Sequence, residues 1–208
     1  MTRRIADIRL DGVFINCPFD ADYEPLLDAI VFAVIYCRLS VRTGLMRADA
    51  GQLRLQKILS QIEQSRFSIH DISRIEPGDD GLPRFNMPLE LGLALGMKHL
   101  GRKALRDHIV IILDRDRYRY QAFASDLAGV DIMNHNNDPV RIIAAVRDSL
   151  APHLDYELPT PGVINAARVA FLDALPQMAA AVRQEVGELA FIDRLRHIGA
   201  FISVANAA

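Results

Sequence analysis

Cysteine is nearly absent: Cys17 and Cys37 are the only two in 208 residues, too few for a disulfide scaffold. The opening MTRRIADIRLDG lacks the continuous apolar stretch of a secretory signal, so the expectation is a cytoplasmic chain with reduced thiols. Long hydrophobic runs are missing too. The longest, Ala29 to Cys37, is far short of the ~20 residues that span a bilayer, and no membrane partner is expected. No block of one charge sign appears: 24 Lys and Arg face 26 Asp and Glu, for a net charge of −2. Neither a nucleic-acid backbone nor an anionic membrane surface is forecast as a partner. The six histidines are scattered, with no C-x-x-C or H-E-x-x-H spacing, so no metal is expected.

What remains is the balance of a soluble globular protein, 50% hydrophobic and 24% charged. The length suits one domain of ordinary size, or one of about 150 residues with an appendage. GVFIN, Gly12 to Asn16, reads as a buried strand ending in the turn-like NCPFDADYEP. Tyr23, Leu26, Leu27, Ile30, Val31, Val34 and Ile35 then keep the spacing of an amphipathic helix. The pattern recurs. Leu39 to Met46 is a second strand, followed by a helix over about Gly51 to Ser65; Phe67 to Ser73 is a third strand that ends near Asp71. A Gly/Pro/Asp loop leads to a helix beginning just after Pro88. His108 to Leu113 is a continuous apolar run typical of a central parallel strand. Val130 to Met133 is a shorter strand, and Asp138 with Pro139 opens another helix.

Strands alternating with helices of this length predict an α/β fold: an open, mostly parallel, five-stranded flavodoxin-like sheet with helices on both faces. Residues 1–155 would form it. Residues 156–208 lose the β-prone runs and read as a C-terminal helical extension, with Thr160 as a cap, Pro176 as a kink and Gly187 as a break. The alanine-rich extension suggests packing or self-association, and hence a homo-oligomer.

Ligands of such sheets bind outside the carboxyl ends of the strands. That rule gathers Asn16, Asp20, Tyr23, His70, Asp71, Ser73, Arg74, Asp79, Asp80, Arg84, Asn86, Glu90, Asp114 and Asp116 onto one rim. Glu90 stands out, set in the apolar RFNMPLELGLALG. Counted from Pro88 it falls in the first helical turn, where the macrodipole favours an ionised carboxylate by ~0.3–1 kcal/mol. It either stabilises its own helix or, with Gly92, Ala94 and Gly96 giving room for a ligand, supports a sugar cation. Asp71 either orients a ribose hydroxyl, protonates a leaving base or caps a loop. Asn16 contacts a ligand or closes the turn. His70 is expected to be a satisfied strand histidine, Cys17 a small buried thiol, and DRDRYRY (Asp114 to Tyr120) a solvated loop or a phosphate clamp. Arg74 and Arg84 are surface residues or phosphate partners, and Ser125, Asp126 and His135 either close the pocket or cap a helix.

DDGLPRFNMPLELGLALGMK resembles the Asp-rich loop and Glu-Leu-Gly that carry the catalytic glutamate of nucleoside 2-deoxyribosyltransferases, and more loosely the glutamate-bearing helix of TIR-like NAD-cleaving domains. VFINCPFD is similar to the first strand and sugar-facing loop of that superfamily. The resemblance runs from about residue 12 to 150. Met87 and Pro88 stand where the family often has glycine and threonine or serine, and the first loop lacks the usual Gly-Pro step. The resemblance implies Glu90 as nucleophile, substrate contacts at Asp71 and Asp80, and a sugar side lined by Phe14, Asn16, Pro18, Phe19 and Asp20; Arg84 and Asn86 complete the candidate binding set. The expected function is hydrolysis or transfer at the N-glycosidic bond of a nucleoside, a nucleotide or NAD, with NAD as a substrate and no cofactor. The alternative is a non-catalytic nucleotide-binding module that signals through a partner.

Overall fold

The computed structural model describes residues 11–46, 51–77, 81–83, 85–102 and 105–205. In chain order the elements are β1 (Gly12–Asn16), a 3-10 turn (Ala21–Tyr23), α1 (Glu24–Tyr36), β2 (Ser40–Thr43), α2 (Arg54–Glu63), β3 (Phe67–Asp71) and α3 (Asn86–Leu100). Then come β4 (Ile109–Asp114), 3-10 turns at Arg119–Ala122 and Ser125–Leu127, β5 (Met133–Asn134), α4 (Pro139–Leu150), α5 (Pro161–Ala181) and α6 (Phe191–Ala205).

Sequence pattern explains the layers. In β1, Val13 and Ile15 join Phe67 and Ile69 of β3 and Ile111 and Leu113 of β4 in one buried cluster with α1 and α4. The intervening Phe14 points the other way, onto Ile58 and Ile62 of α2 and Ala94 of α3. Ile72 and Ile112 meet Met87 and Leu91 of α3 on that same side. A period of two with both faces apolar is what a sheet covered on both sides requires. All five β3 residues are buried. Gly12 is needed for close approach, because a Cβ there would lie 2.8 Å from Arg42 Nε and 3.1 Å from the Gln64 carbonyl.

The sheet is wholly parallel, in the order β2-β1-β3-β4-β5. This is the flavodoxin-like order, and its direction reverses between β1 and β3. Their carboxyl ends, with Asn16 opposite His70 in register, are therefore where a crevice opens. Several boundaries differ from the sequence expectation. β2 is four residues long and β5 only two, at Met133–Asn134 rather than Val130 to Met133. α3 starts at Asn86, so Pro88 lies inside its first turn rather than before it. Gly101 ends that helix, where a Cβ would collide with the Met97 carbonyl.

The C-terminal helices form a third layer against α1 and α4. Ile164, Phe171 and Leu175 of α5 and Ile198 and Ile202 of α6 belong to the same buried cluster as α1. The Phe171 ring lies 5.7 Å from Phe32 and 5.6 Å from Phe201. Arg194 of α6 reaches Glu24 and Asp28 of α1, at 2.6 Å each. Thr160 occupies the N-cap position of α5 but its side chain makes no capping hydrogen bond, Pro176 lies within the helix without ending it, and Gly187 falls in the turn before α6. Among the described residues no helix is long and apolar enough to cross a membrane.

Candidate functional site

Asn16 ends β1 on the α3 side of the sheet. Its Nδ2 donates to the Met87 carbonyl at 3.0 Å and lies 3.0 Å from His70 Nδ1. The carbonyl accepts only, so the amide orientation is fixed and His70 Nδ1 is the acceptor. Burial, with the nearby His108, pushes the His70 imidazole down to about 3. The ring is neutral, and its proton sits on Nε2. Among the described residues neither His70 Nε2 nor Asn16 Oδ1 has a hydrogen-bond partner. The bonds pin the first turn of α3 over the crevice, but this histidine is only half satisfied, which differs from the sequence expectation.

Asp71 ends β3 and faces the other side, toward α1. Its Oδ2 accepts from the Tyr23 hydroxyl, and its Oδ1 accepts from the Ser73 N–H at 2.8 Å. His135, just past β5, brings Nε2 to 3.1 Å from Oδ2, an electrostatic contact whose N–H is angled off the oxygen. Burial alone would raise the Asp71 carboxyl, but His135, the Ser73 N–H and the Tyr23 hydroxyl outweigh it and hold the group below its usual range. Burial and the Asp71 charge push the Tyr23 phenol well up. An ionised, fully engaged Asp71 has no proton to give a leaving base. Its position suits orientation of the rim.

Glu90 is the fifth residue of α3, two residues deeper than counted from Pro88 and past the first turn. The macrodipole argument for its ionisation therefore does not apply, since that effect fades after the first turn. The side chain shares the inward face of α3 with Met87, Leu91 and Ala94 and is only 6% exposed. Burial pushes its carboxyl above the usual range, and the charge of Arg54 on α2 offsets part of that. No described residue donates a hydrogen bond to it. Asp71, Glu90 and Asp20 all raise the thiol of Cys17, after burial itself. Cys17 thus lies among these acids at the crevice, protonated and without nucleophilic character.

The remaining candidates are dispersed. Phe14 is core, its ring 6.1 Å from His70, and Pro18 is buried. Phe19 is 37% exposed and lines, with Asp20, Leu45, Phe191 and Arg194, a cavity of about 180 Å3. Asp20 caps the first 3-10 turn, accepting from the Tyr23 N–H at 3.0 Å. Asn86 is exposed at the start of α3. Asp79, Asp80 and Arg84 lie outside the described residues. The DRDRYRY segment is an ion-paired loop: Asp114 binds Arg119 at 2.7 Å, and Glu76 binds Arg119 and Arg115 at 2.9 Å each.

The sequence did not disclose the Met87 carbonyl, which is backbone, or the task of the Tyr23 hydroxyl, hidden because Tyr23 also fits the apolar face of α1. Among the described residues no group of three His, Cys, Asp or Glu side chains converges to hold a metal. No protein-family model matches the chain, and neither a curated protein nor a solved structure matches it.

Proposed function

We propose that the protein cleaves or exchanges an N-glycosidic bond of a nucleoside, a nucleotide or NAD, with Glu90 as the carboxylate that meets the anomeric carbon. The nucleoside 2-deoxyribosyltransferase-like or TIR-like likeness of the Glu90 segment belongs to this proposal. The observation that carries it is Glu90, a residue 6% exposed at the switch-point end of a parallel sheet, to whose carboxylate no described residue donates a hydrogen bond. A buried acid without a donor is costly to the fold. It is suited to pairing with positive charge that develops on a sugar in an oxocarbenium-like transition state. In the step, the bond between anomeric carbon and base nitrogen breaks and its electron pair leaves with the base. The Glu90 carboxylate donates a pair to the anomeric carbon, and water or an acceptor base then displaces it. Asp71 acts as a positioning residue, and the base takes its proton from solvent or from an acid outside the described residues. No cofactor enters this scheme.

One observation favours a second reading, a nucleotide-binding module that acts through a partner or a second copy of the chain: the other rim acid, Asp71, is engaged by protein groups. The experiment is incubation of wild type and Glu90→Gln with NAD and a panel of nucleosides and nucleotides, following free base and sugar by chromatography. Base released by the wild type alone supports the glycosidic reading. No release, with a nucleotide still raising the melting temperature, supports the module.

A further inference from the structure

We propose that the outward face of α3 is a homodimer interface, on which a second copy of this chain lays its own α3 antiparallel about a two-fold axis. Neither the axis nor its contacts depend on the glycosidic reading. Phe85, Leu89, Gly92, Gly96 and Leu100 recur at i, i+4, i+7, i+11 and i+15 and so share one side of the helix, with the half-buried Leu93 beside them. The inward side is already occupied: Met87, Glu90, Leu91 and Ala94 are the buried residues of α3. Phe85, Leu89 and Leu100 are 67%, 57% and 90% exposed, and Gly92 is exposed between them. A helix apolar on all sides belongs in an interior, yet one side of α3 faces solvent in the single chain. No Asp, Glu, Lys or Arg stands in this stripe, which disfavours a charged partner such as a nucleic acid.

The shape of the face says what covers it. Gly92 and Gly96 are notches: a Cβ at either would meet nothing within 4 Å, so no contact inside the chain calls for their missing side chains, and glycine inside a helix costs stability. Two glycines four apart let a second helix approach closely. An antiparallel copy turned about an axis between positions 92 and 93 sets Leu89 over Gly96, Leu93 over Gly92 and Phe85 over Leu100, each pair occurring twice. Every large side chain then meets a notch or another apolar side chain, which is the self-complementarity that a two-fold interface demands. The positive N-terminus of each helix also lies by the negative C-terminus of the other. From Gly92 the apolar surface continues into a cleft lined by Pro88, Leu91, Leu95, Phe123 and Leu127. A face about 22 Å long, one helix and one cleft wide, offers on the order of 500 Å2 per protomer. The pair reaches the roughly 1,000 Å2 that a specific interface needs.

The test is sedimentation velocity of the full chain, with circular dichroism to verify folding, followed by disulfide trapping. The wild type is expected to be a dimer at about 100 μM. Leu89→Glu sets a charge against Gly96 of the second copy and should weaken association at least about hundredfold. Gly96→Leu fills the notch and should weaken it at least about tenfold. Leu89 is exposed, so its variant keeps the test decisive if Gly96→Leu does not fold. The register is read from Leu89→Cys combined with Gly96→Cys. Within one helix these positions lie about 10 Å apart, beyond the roughly 7 Å that a disulfide spans, so copper phenanthroline should link two chains, whereas Leu89→Cys alone should stay unlinked. Cys17 and Cys37 are buried and do not compete. A wild type that is monomeric at about 100 μM overturns the proposal and leaves the face to a different protein or to a membrane, the latter read by flotation with phosphatidylcholine vesicles. A dimer undiminished in Leu89→Glu overturns it in favour of another surface. Absence of the link in the double variant, or an equal link from Leu89→Cys alone, overturns the antiparallel pairing.

Discussion

His135 Nε2 lies 3.1 Å from Asp71 Oδ2, with both side chains wholly buried. The two residues end β3 and follow β5, with β4 between them, so the contact ties the rim across three strands. Tyr23 extends the tie to the loop after β1. Removing a partner of the buried Asp71 carboxylate leaves that charge less well compensated. His135→Ala and Tyr23→Phe are therefore each expected to cost about 1–3 kcal/mol, both read from urea unfolding. Costs near zero for both would mean that Asp71 is not held by this network.

The same network sets an acid limit. The folded-state Asp71 carboxyl lies below its ordinary value of 3.8. A depressed acid contributes stability that is present above the unfolded pKa and disappears as pH falls through the folded one. Unfolding free energy should therefore decline below about pH 4, and Asp71→Asn should flatten that part of the profile while lowering stability at neutral pH. A steep acid limb unchanged in the variant would assign it to other carboxylates.

The strand-helix alternation and the gathering of polar residues at strand ends were legible, because a sheet buried on both faces leaves continuous apolar runs such as GVFIN and HIVIIL. The start of α3 was not. Pro88 suits any position of a first turn, and the deciding feature, the Met87 carbonyl received by Asn16, joins residues 71 positions apart. Likewise no local pattern announces that Tyr23 and His135 converge on Asp71, since each also fits an ordinary local role.

The C-terminal helices read as an extension, yet Phe171 packs between Phe32 of α1 and Phe201 of α6. Phe171→Ala is expected to cost about 3–5 kcal/mol, and a chain cut after residue 155 should lose its cooperative unfolding transition. Arg194→Ala would leave Glu24 and Asp28 without the guanidinium that both contact. A stable, cooperatively folding 1–155 fragment would show that the helices are a separable addition.

Glu90 tests whether stability has been exchanged for reactivity. Its folded carboxyl is raised by burial, so the folded state binds that proton more tightly than the unfolded chain. A raised acid costs stability as pH climbs from the unfolded pKa through the folded one, and the cost is then constant toward neutrality. Glu90→Gln removes the charge and keeps the shape. It should raise the melting temperature at pH 7, with the gain vanishing at pH values below the ordinary carboxylate range, while base release is abolished. In the wild type the acid limb of kcat/KM should lie above the ordinary carboxylate range, because only the ionised carboxylate attacks. A Glu90→Gln protein less stable than wild type at pH 7 would make the residue a structural anchor, and an acid limb at the unperturbed value would place the reacting carboxylate elsewhere on the rim.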